Sequence, residues 1–344
     1  IDAGVAAQKE SFKIASLWVE NSTIAKVSGT TNFTPKVVAK YFSKSTPKDG
    51  ITASIIDVGY GTAEDFAKAG DAVKGNFVLV ENDLCLDVDG LFTEYANAAK
   101  ADVLAAKAGA IGIINMASRP KKLLYRFIAS DGYDHGLINL VMGREDAKRC
   151  QRILRADGKL DFSATLDVAY SGEQTSHNVI AEITGNVDDK IISFGGHLDS
   201  WDVGEGAHDD GAGIAHSIEA LRLLKELNYK PNHTLRCVLF MNEENGNMGG
   251  KSYAEIASEK GEKHICAIES DRGGFLPIGF DIVGDSTQQK FIKQFEPLLY
   301  DFQLYKFQKG FGGVDINPLR EYYPEMLQLG LSISSQRYFN YHHT

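Results

Sequence analysis

The sequence predicts an α/β protein: a mostly parallel sheet sandwiched by helices, joined to a smaller α/β domain. Three observations lead there. Short β-branched runs alternate with helical runs along the chain, the pattern of strand–crossover–strand units. The length, 344 residues, exceeds what one core ordinarily serves, so two domains are expected. His, Asp and Glu gather where strand-like runs end, the place where such sheets bind ligands.

In chain order, the β-branched run 51–58 leads into Gly59-Tyr60-Gly61, a strand ending in a turn. A short polar helix over 63–69 and Lys74-Gly75 precede the apolar run 77–80. The Ala-rich stretch 91–108 predicts a long helix, and 110–114 another buried strand. The runs 137–142 and 162–169 complete this first sheet. The texture changes near Ser171-Gly172-Glu173-Gln174, so residues 1–172 are assigned to the smaller domain and 173–344 to the larger. There, 179–184 and 191–194 predict strands, and the spacing of Ile214, Ile218, Leu221, Leu224 and Leu227 predicts a helix over 211–227. Pro231 and Asn232 break the chain before a strand at 235–241. A helix over 251–258, a strand over 264–268 and an amphipathic helix over 287–300 follow.

Thirty-six basic against 46 acidic side chains leave a formal charge of −10. That balance argues against a nucleic-acid partner, because non-specific binding needs clustered Lys and Arg. No run approaches the ~20 apolar residues of a membrane-spanning helix. The start, Ile1-Asp2-Ala3-Gly4, resembles neither an initiator nor a leader, and a removed signal would be invisible. Cys85, Cys150, Cys237 and Cys266 are too scattered for a CxxC metal site and too few for a disulfide scaffold. Cys237 and Cys266 fall in strand-like runs and are expected to be buried free thiols.

The chemistry collects at strand ends. The strand ending at Gly195 delivers His197 and Asp199, and a Gly-rich loop then leads to Asp209 and Asp210 before a helix. The strand ending at Met241 delivers Glu243 and Glu244; the strand ending at Ile268 delivers Glu269 and Asp271; His342 and His343 come last. Imidazole with carboxylate is the donor set of Zn²⁺ and similar ions. One such cluster is an ordinary solvated rim, whereas four at successive strand exits point to a metal site. Adjacent Glu243 and Glu244 can divide roles, because successive residues leaving a strand point in different directions.

The strings GGHLDSWDVGEGAHDDGAG, NEENG, ESDRGG and YHHT, in that order, resemble the co-catalytic di-zinc exopeptidase family of aminopeptidases and glutamate carboxypeptidases. HLDSWDVG is most similar to its carboxypeptidase Q (plasma glutamate carboxypeptidase) subgroup. The succession of strand, KG, strand, Ala-rich helix and AGAIGII in the first half resembles the protease-associated domain of several exopeptidases. The resemblance implies a zinc exopeptidase fold and two Zn²⁺, one held by His197 and Asp271, the other by Glu244 and His343, with Asp209 bridging them. It implies that the Asp199 carboxylate orients His197, that Glu243 is the catalytic general base, and that the Asp209–Asp210 peptide is cis.

On that ligand set the charge of two Zn²⁺ exceeds that of the three carboxylates by one, enough to hold a hydroxide as nucleophile near neutral pH. Glu243 would carry its proton to the leaving amine. The implied activity is hydrolysis of dipeptides or short peptides with free termini, releasing the N-terminal residue. A carboxypeptidase releasing a C-terminal residue such as glutamate, and a glutaminyl cyclase-like acyltransferase on the same fold, are the alternatives. A homodimer and a secreted or periplasmic location are also implied. Relatives continue past the terminal histidine, so an end at Thr344 is expected to leave His343 poorly braced and one metal weakly bound. His342 competes as the ligand; His343 is preferred because it precedes Thr344 as the family's ligand does.

Rival chemistries find less support. No G-x-S-x-G occurs, which disfavours a serine hydrolase, and HExxH is absent. Gly250-Lys251-Ser252 is not a phosphate loop, since Asn245 stands where a glycine is required. The remaining histidines, His208 and His216 among them, are expected to be structural or exposed, and Trp201 and Asp202 to pack and turn.

Overall fold

The computed structural model describes residues 4–128, 135–334 and 337–344; Ile1, Asp2 and Ala3 of the atypical start lie outside the described residues. The chain opens with β1 (Ala7–Ile14), then runs through β2 (Trp18–Gly29), β3 (Val37–Ala39), β4 (Ile51–Asp57), α1 (Ala63–Ala69), β5 (Phe77–Val80) and α2 (Val88–Lys107). It continues through β6 (Gly112–Met116), β7 (Ile138–Met142), α3 (Arg144–Leu154), β8 (Leu160–Tyr170), β9 (Gln174–Ile183), β10 (Lys190–His197), α4 (Gly211–Glu226) and β11 (Thr234–Phe240). The remainder is α5 (Met248–Glu259), β12 (Lys263–Glu269), β13 (Pro277–Val283), α6 (Ser286–Lys293), α7 (Glu296–Leu299), β14 (Lys306–Lys309), α8 (Leu319–Tyr322) and β15 (Leu327–Ile333).

Two compact units result. The first comprises residues 1–15, 173–200 and 205–338, and the second residues 16–172, 201–204 and 339–344. The chain passes from the second unit to the first between Gly172 and Glu173, and residues 7–14 belong to the first unit. They pair antiparallel with β9 over eight positions, from Ala7 with Ala181 to Ile14 with Gln174. No local signal could announce this, because the pairing partner lies far along the chain. The short segments 201–204 and 339–344 likewise group with the second unit.

The first unit is built on an eight-stranded sheet of order β1-β9-β11-β10-β12-β15-β13-β14. Its centre, β11-β10-β12-β15, is parallel, and both flanks carry antiparallel pairs. Period-2 alternation covers both faces with helix. On β11, Cys237 and Leu239 pack with Ile214, Ile218 and Leu221 of α4. Val238 and Phe240 face the other way, onto Tyr253 and Ala254 of α5 and Leu319 of α8. The predicted helix over 287–300 is broken into α6 and α7, with Pro297 in the first turn of α7. Pro297 has no N–H to continue the ladder, and its ring opposes the preceding turn.

The second unit has a seven-stranded sheet of order β2-β8-β4-β5-β6-β7-β3, parallel from β4 to β7. Val78, Val80 and Ile113 pack with Phe66 of α1 and with Ala101 and Ala105 of α2. On the opposite face Leu79, Ile114 and Leu140 pack with Ala147 and Cys150 of α3. Among the described residues no helix is long and apolar enough to cross a membrane.

Candidate metal centre

β10 enters the site through Gly195-Gly196-His197, and both glycines are required by close approach. A Cβ on Gly195 would strike the Val238 carbonyl, and one on Gly196 would strike the Asp210 carboxylate. Asp210 caps α4: one oxygen accepts from Gly213 N at 3.0 Å and the other from His197 N at 3.2 Å. This carboxyl locks the exit of β10 to the start of α4. Burial, then the charge of Asp271, pushes its pKa up to about 9. The peptide joining Asp209 to Asp210 is cis.

His197 is buried, and its Nδ1 donates to the Asp199 carbonyl at 2.8 Å. Because a carbonyl only accepts, Nδ1 carries a proton, which leaves Nε2 as the nitrogen able to offer a lone pair to a metal. Nε2 lies 3.2 Å from Asp209 Oδ1, 3.4 Å from Asp271 Oδ1 and 4.0 Å from Glu243 Oε2. The Asp199 carboxylate stands farther off, 3.9 Å from Nδ1, because two other donors hold it. It accepts the backbone N–H of Glu243 at 3.1 Å and of Glu244 at 3.3 Å. Asp199 therefore bears on His197 through its backbone and on the two glutamates through its side chain.

Glu243 and Glu244 sit on a turn after β11 and not at the strand's end, since Asn242 and Asn247 both take left-handed conformations, φ 71° and 51°. Asp199 clamps that turn through both amides, where the sequence pointed to strand alternation. Burial raises Glu243 well above the carboxylate range; His197 opposes this, and Asp271, Asp315 and Glu244 add to it. For His197, burial favours the neutral ring, and the surrounding carboxylates, Asp271 foremost, outweigh it and hold its pKa well above the usual value. The pocket is thus a concentrated negative field around one imidazole nitrogen.

The donor atoms of His197, Asp209 and Asp271 all lie within 4.8 Å of one another. Nitrogen plus two carboxylate oxygens at that spacing fits a Zn²⁺-type ion. Glu244 belongs to the same unit, on the turn beside Glu243. His343 belongs to the second unit, where its Nδ1 donates to the Arg126 carbonyl at 2.8 Å. The poor bracing expected of it is not found.

Three more residues surround the site; the sequence marked Glu269 only as an acid at a strand exit, and Tyr338 not at all. Glu269, fully buried, accepts from Val314 N at 2.8 Å and Ile316 N at 3.0 Å, anchoring the Gly-rich loop before α8. Burial, then Asp271, lifts its pKa to about 8. Asp315 of that loop is completely buried, with its pKa raised by burial and by Glu269. Tyr338 is held well above its usual pKa by burial and by Asp209, Asp271 and Glu244, so it is a neutral hydroxyl among acids. No sequence signal marked it. A cavity of about 50 Å³ opens beside Asp271, with Arg272, Phe311, Gly312, Val314 and Leu331 in its wall. Of the other histidines, His216 bonds Ser270 Oγ at 3.1 Å, and His208 packs between Phe275 and Tyr338. Trp201 is buried in the core of the second unit against Tyr41.

Residues 178–344 match the profile of peptidase family M28. Carboxypeptidase Q of Rattus norvegicus is 30% identical over 88% of this chain and 63% of its own length. That of Xenopus laevis is 29% identical over 88% and 64%. The chain thus spans under two thirds of these curated relatives. Among solved structures, a peptidase M28 precursor from Shewanella amazonensis superposes with a TM-score of 0.87 at 28% identity, covering 99% of this chain and 78% of that one. A zinc aminopeptidase from Bacillus subtilis shares the fold, with a TM-score of 0.64 at 20% identity over 96% and 75%. Residues 178–344, where the histidine, the aspartates and the paired glutamates all lie, are the part of the chain that is similar to peptidase family M28.

Proposed function

We propose that the chain is a zinc exopeptidase that releases the N-terminal residue from dipeptides or short peptides. One observation carries this: Nε2 of His197 turned toward Asp209 and Asp271, with Glu243 4.0 Å away. The ligand set of the resemblance, His197, Asp209, Glu244, Asp271 and His343 around two Zn²⁺, is part of the proposal, as are a homodimer and a secreted or periplasmic location. The relatives' names, carboxypeptidase Q and zinc aminopeptidase, support exopeptidase chemistry and divide over which end is cut.

When bound, zinc supplies a Lewis acid for the scissile carbonyl and acidifies water. The protein's own residues do the remainder. Glu243, raised by its dry surroundings, is poised to take a proton and return it to the leaving amine. Asp199 holds the Glu243 and Glu244 amides in place, and Tyr338 offers a neutral O–H.

The test is a panel of dipeptides with free, N-blocked and C-blocked ends, run with and without chelator. Cleavage lost on N-blocking and on chelation is expected. Cleavage lost only on C-blocking assigns the carboxypeptidase reading, and chelator-insensitive turnover overturns both. Glu243→Gln should lower turnover at least about 100-fold with zinc content unchanged; retained activity would refute Glu243 as the base.

A further inference from the structure

The two terminal histidines have opposite hydrogen-bonding duties, and one buried arginine separates them. Arg119 is completely buried. Its Nη1 donates to Ser118 Oγ at 2.6 Å and lies 3.5 Å from Glu94 Oε2, and its guanidinium stacks over Tyr125 at 4.3 Å. The opposite edge of the fork grips His342: Nε donates to its carbonyl at 3.2 Å, and Nη2 lies 3.0 Å from its Nδ1.

A guanidinium cannot accept, so His342 Nδ1 accepts and the ring proton is forced onto Nε2. Such a ring has no lone pair at Nε2 to offer a metal. In His343 the order is reversed, because Nδ1 gives its proton to the Arg126 carbonyl and Nε2 carries the lone pair. The two rings stack with centroids 3.7 Å apart, so holding one orients the other. Arg126 is held in turn by Glu20 at 2.5 Å and Asp202 at 2.6 Å. His343 also has φ 64°, a conformation unfavourable for a side-chain-bearing residue that persists only where the surroundings impose it.

We infer that Arg119 is a positioning residue for metal binding: by fixing the tautomer and place of His342 it excludes that ring as a ligand and holds the Nε2 of His343 ready for zinc. The inference rests on the proposed ligand role of His343. It gives a physical reason, within the second unit, why the second of two adjacent histidines is the ligand.

The experiment is a calorimetric titration of Zn²⁺ into the metal-stripped full chain, with Co²⁺ absorption as a second readout. Wild type is expected to bind two ions and His343→Ala one; two unweakened ions in His343→Ala would remove the ligand reading and the inference with it. In the double variant Glu94→Gln/Arg119→Met, which avoids stranding a buried charge, one ion should bind roughly 10–100-fold more weakly while the other is unchanged. The Co²⁺ spectrum should shift as well. Arg119→Lys keeps the charge but cannot grip both the carbonyl and the ring, and it should show the same selective loss in smaller measure. His342→Phe keeps the stacking and should still bind two ions. Wild-type affinity for both ions in the Arg119 variants, beside a one-ion His343→Ala, would overturn the positioning role. Loss of an ion from His342→Phe would show that His342 is itself a ligand and overturn it equally.

Discussion

At the scale of single residues, the site is a place where carboxyls lose their water and are held by amides and one another. Outside it, the same forces run the other way. Burial pushes Glu262 upward, but hydrogen bonds from His264 and Arg236 outweigh it and bring its pKa down to about 2. A depressed carboxylate stabilises the fold fully above its unfolded value, about 4.5, and that contribution is lost as pH falls through about 2. Glu262→Gln should therefore cost about 1–3 kcal/mol at pH 7. The gap between mutant and wild-type urea midpoints should shrink from pH 4.5 downward and vanish near pH 2. The thiols behave as expected of free, inert groups: burial pushes Cys150, Cys237 and Cys266 up to about 12 and Cys85 to about 11. Native protein at pH 8 should resist alkylation, while all four thiols react in denaturant. Site residues carried by strand exits, such as His197 and Asp271, were legible because residue type and position coincide. Tyr338 and Asp315 were not, because their meaning depends on burial, which only the folded chain supplies.

At the scale of elements, the centre depends on how closely α4 and α5 can approach the sheet. A Cβ on Gly213 would run into the Ser270 carbonyl, and one on Gly249 into the Met241 carbonyl. Gly213→Ala should destabilise by about 1–3 kcal/mol, read by denaturant titration, and should weaken zinc binding too, since Asp210 would be displaced from His197 N. Gly75, with nothing within 4 Å of its missing Cβ but φ 75°, should show only the smaller backbone penalty on the same substitution. The helix α4, read from its hydrophobic spacing, and the short polar α1 were legible almost to the residue. The break at Pro297 was missed because the hydrophobic spacing continues past it, and periodicity does not register a missing N–H. The long β2 and the short β3 escaped because their pairing partners, β8 and β7, lie more than a hundred residues away.

At the scale of the whole molecule, the excess of acidic residues acquires a use. Several of the acids converge on one imidazole, and a cation bound there would relieve their repulsion. Chelation should lower the thermal midpoint by about 5–10 °C, and added Zn²⁺ should restore it, since an ion bound only by the folded state stabilises it by about 3 kcal/mol at a hundredfold excess over its Kd. An unchanged midpoint would mean that the acids are satisfied without a metal.

The pairing of β1 with β9 has one more consequence, for the order of folding. Ile14 and Gln174 are direct neighbours across the ladder although 160 positions separate them in the chain. With the intervening stretch unfolded, that ladder closes a very long loop. Once the second unit has formed, its two ends are already together: Ser171 N donates to the Leu17 carbonyl at 2.9 Å, and Trp18 pairs with Tyr170. A long-range contact then becomes, in effect, the closing of a hairpin. The inserted unit should therefore fold first. Replacing residues 15–173 by a two-residue Asn-Gly turn should leave β1 and β9 able to pair as an ordinary hairpin.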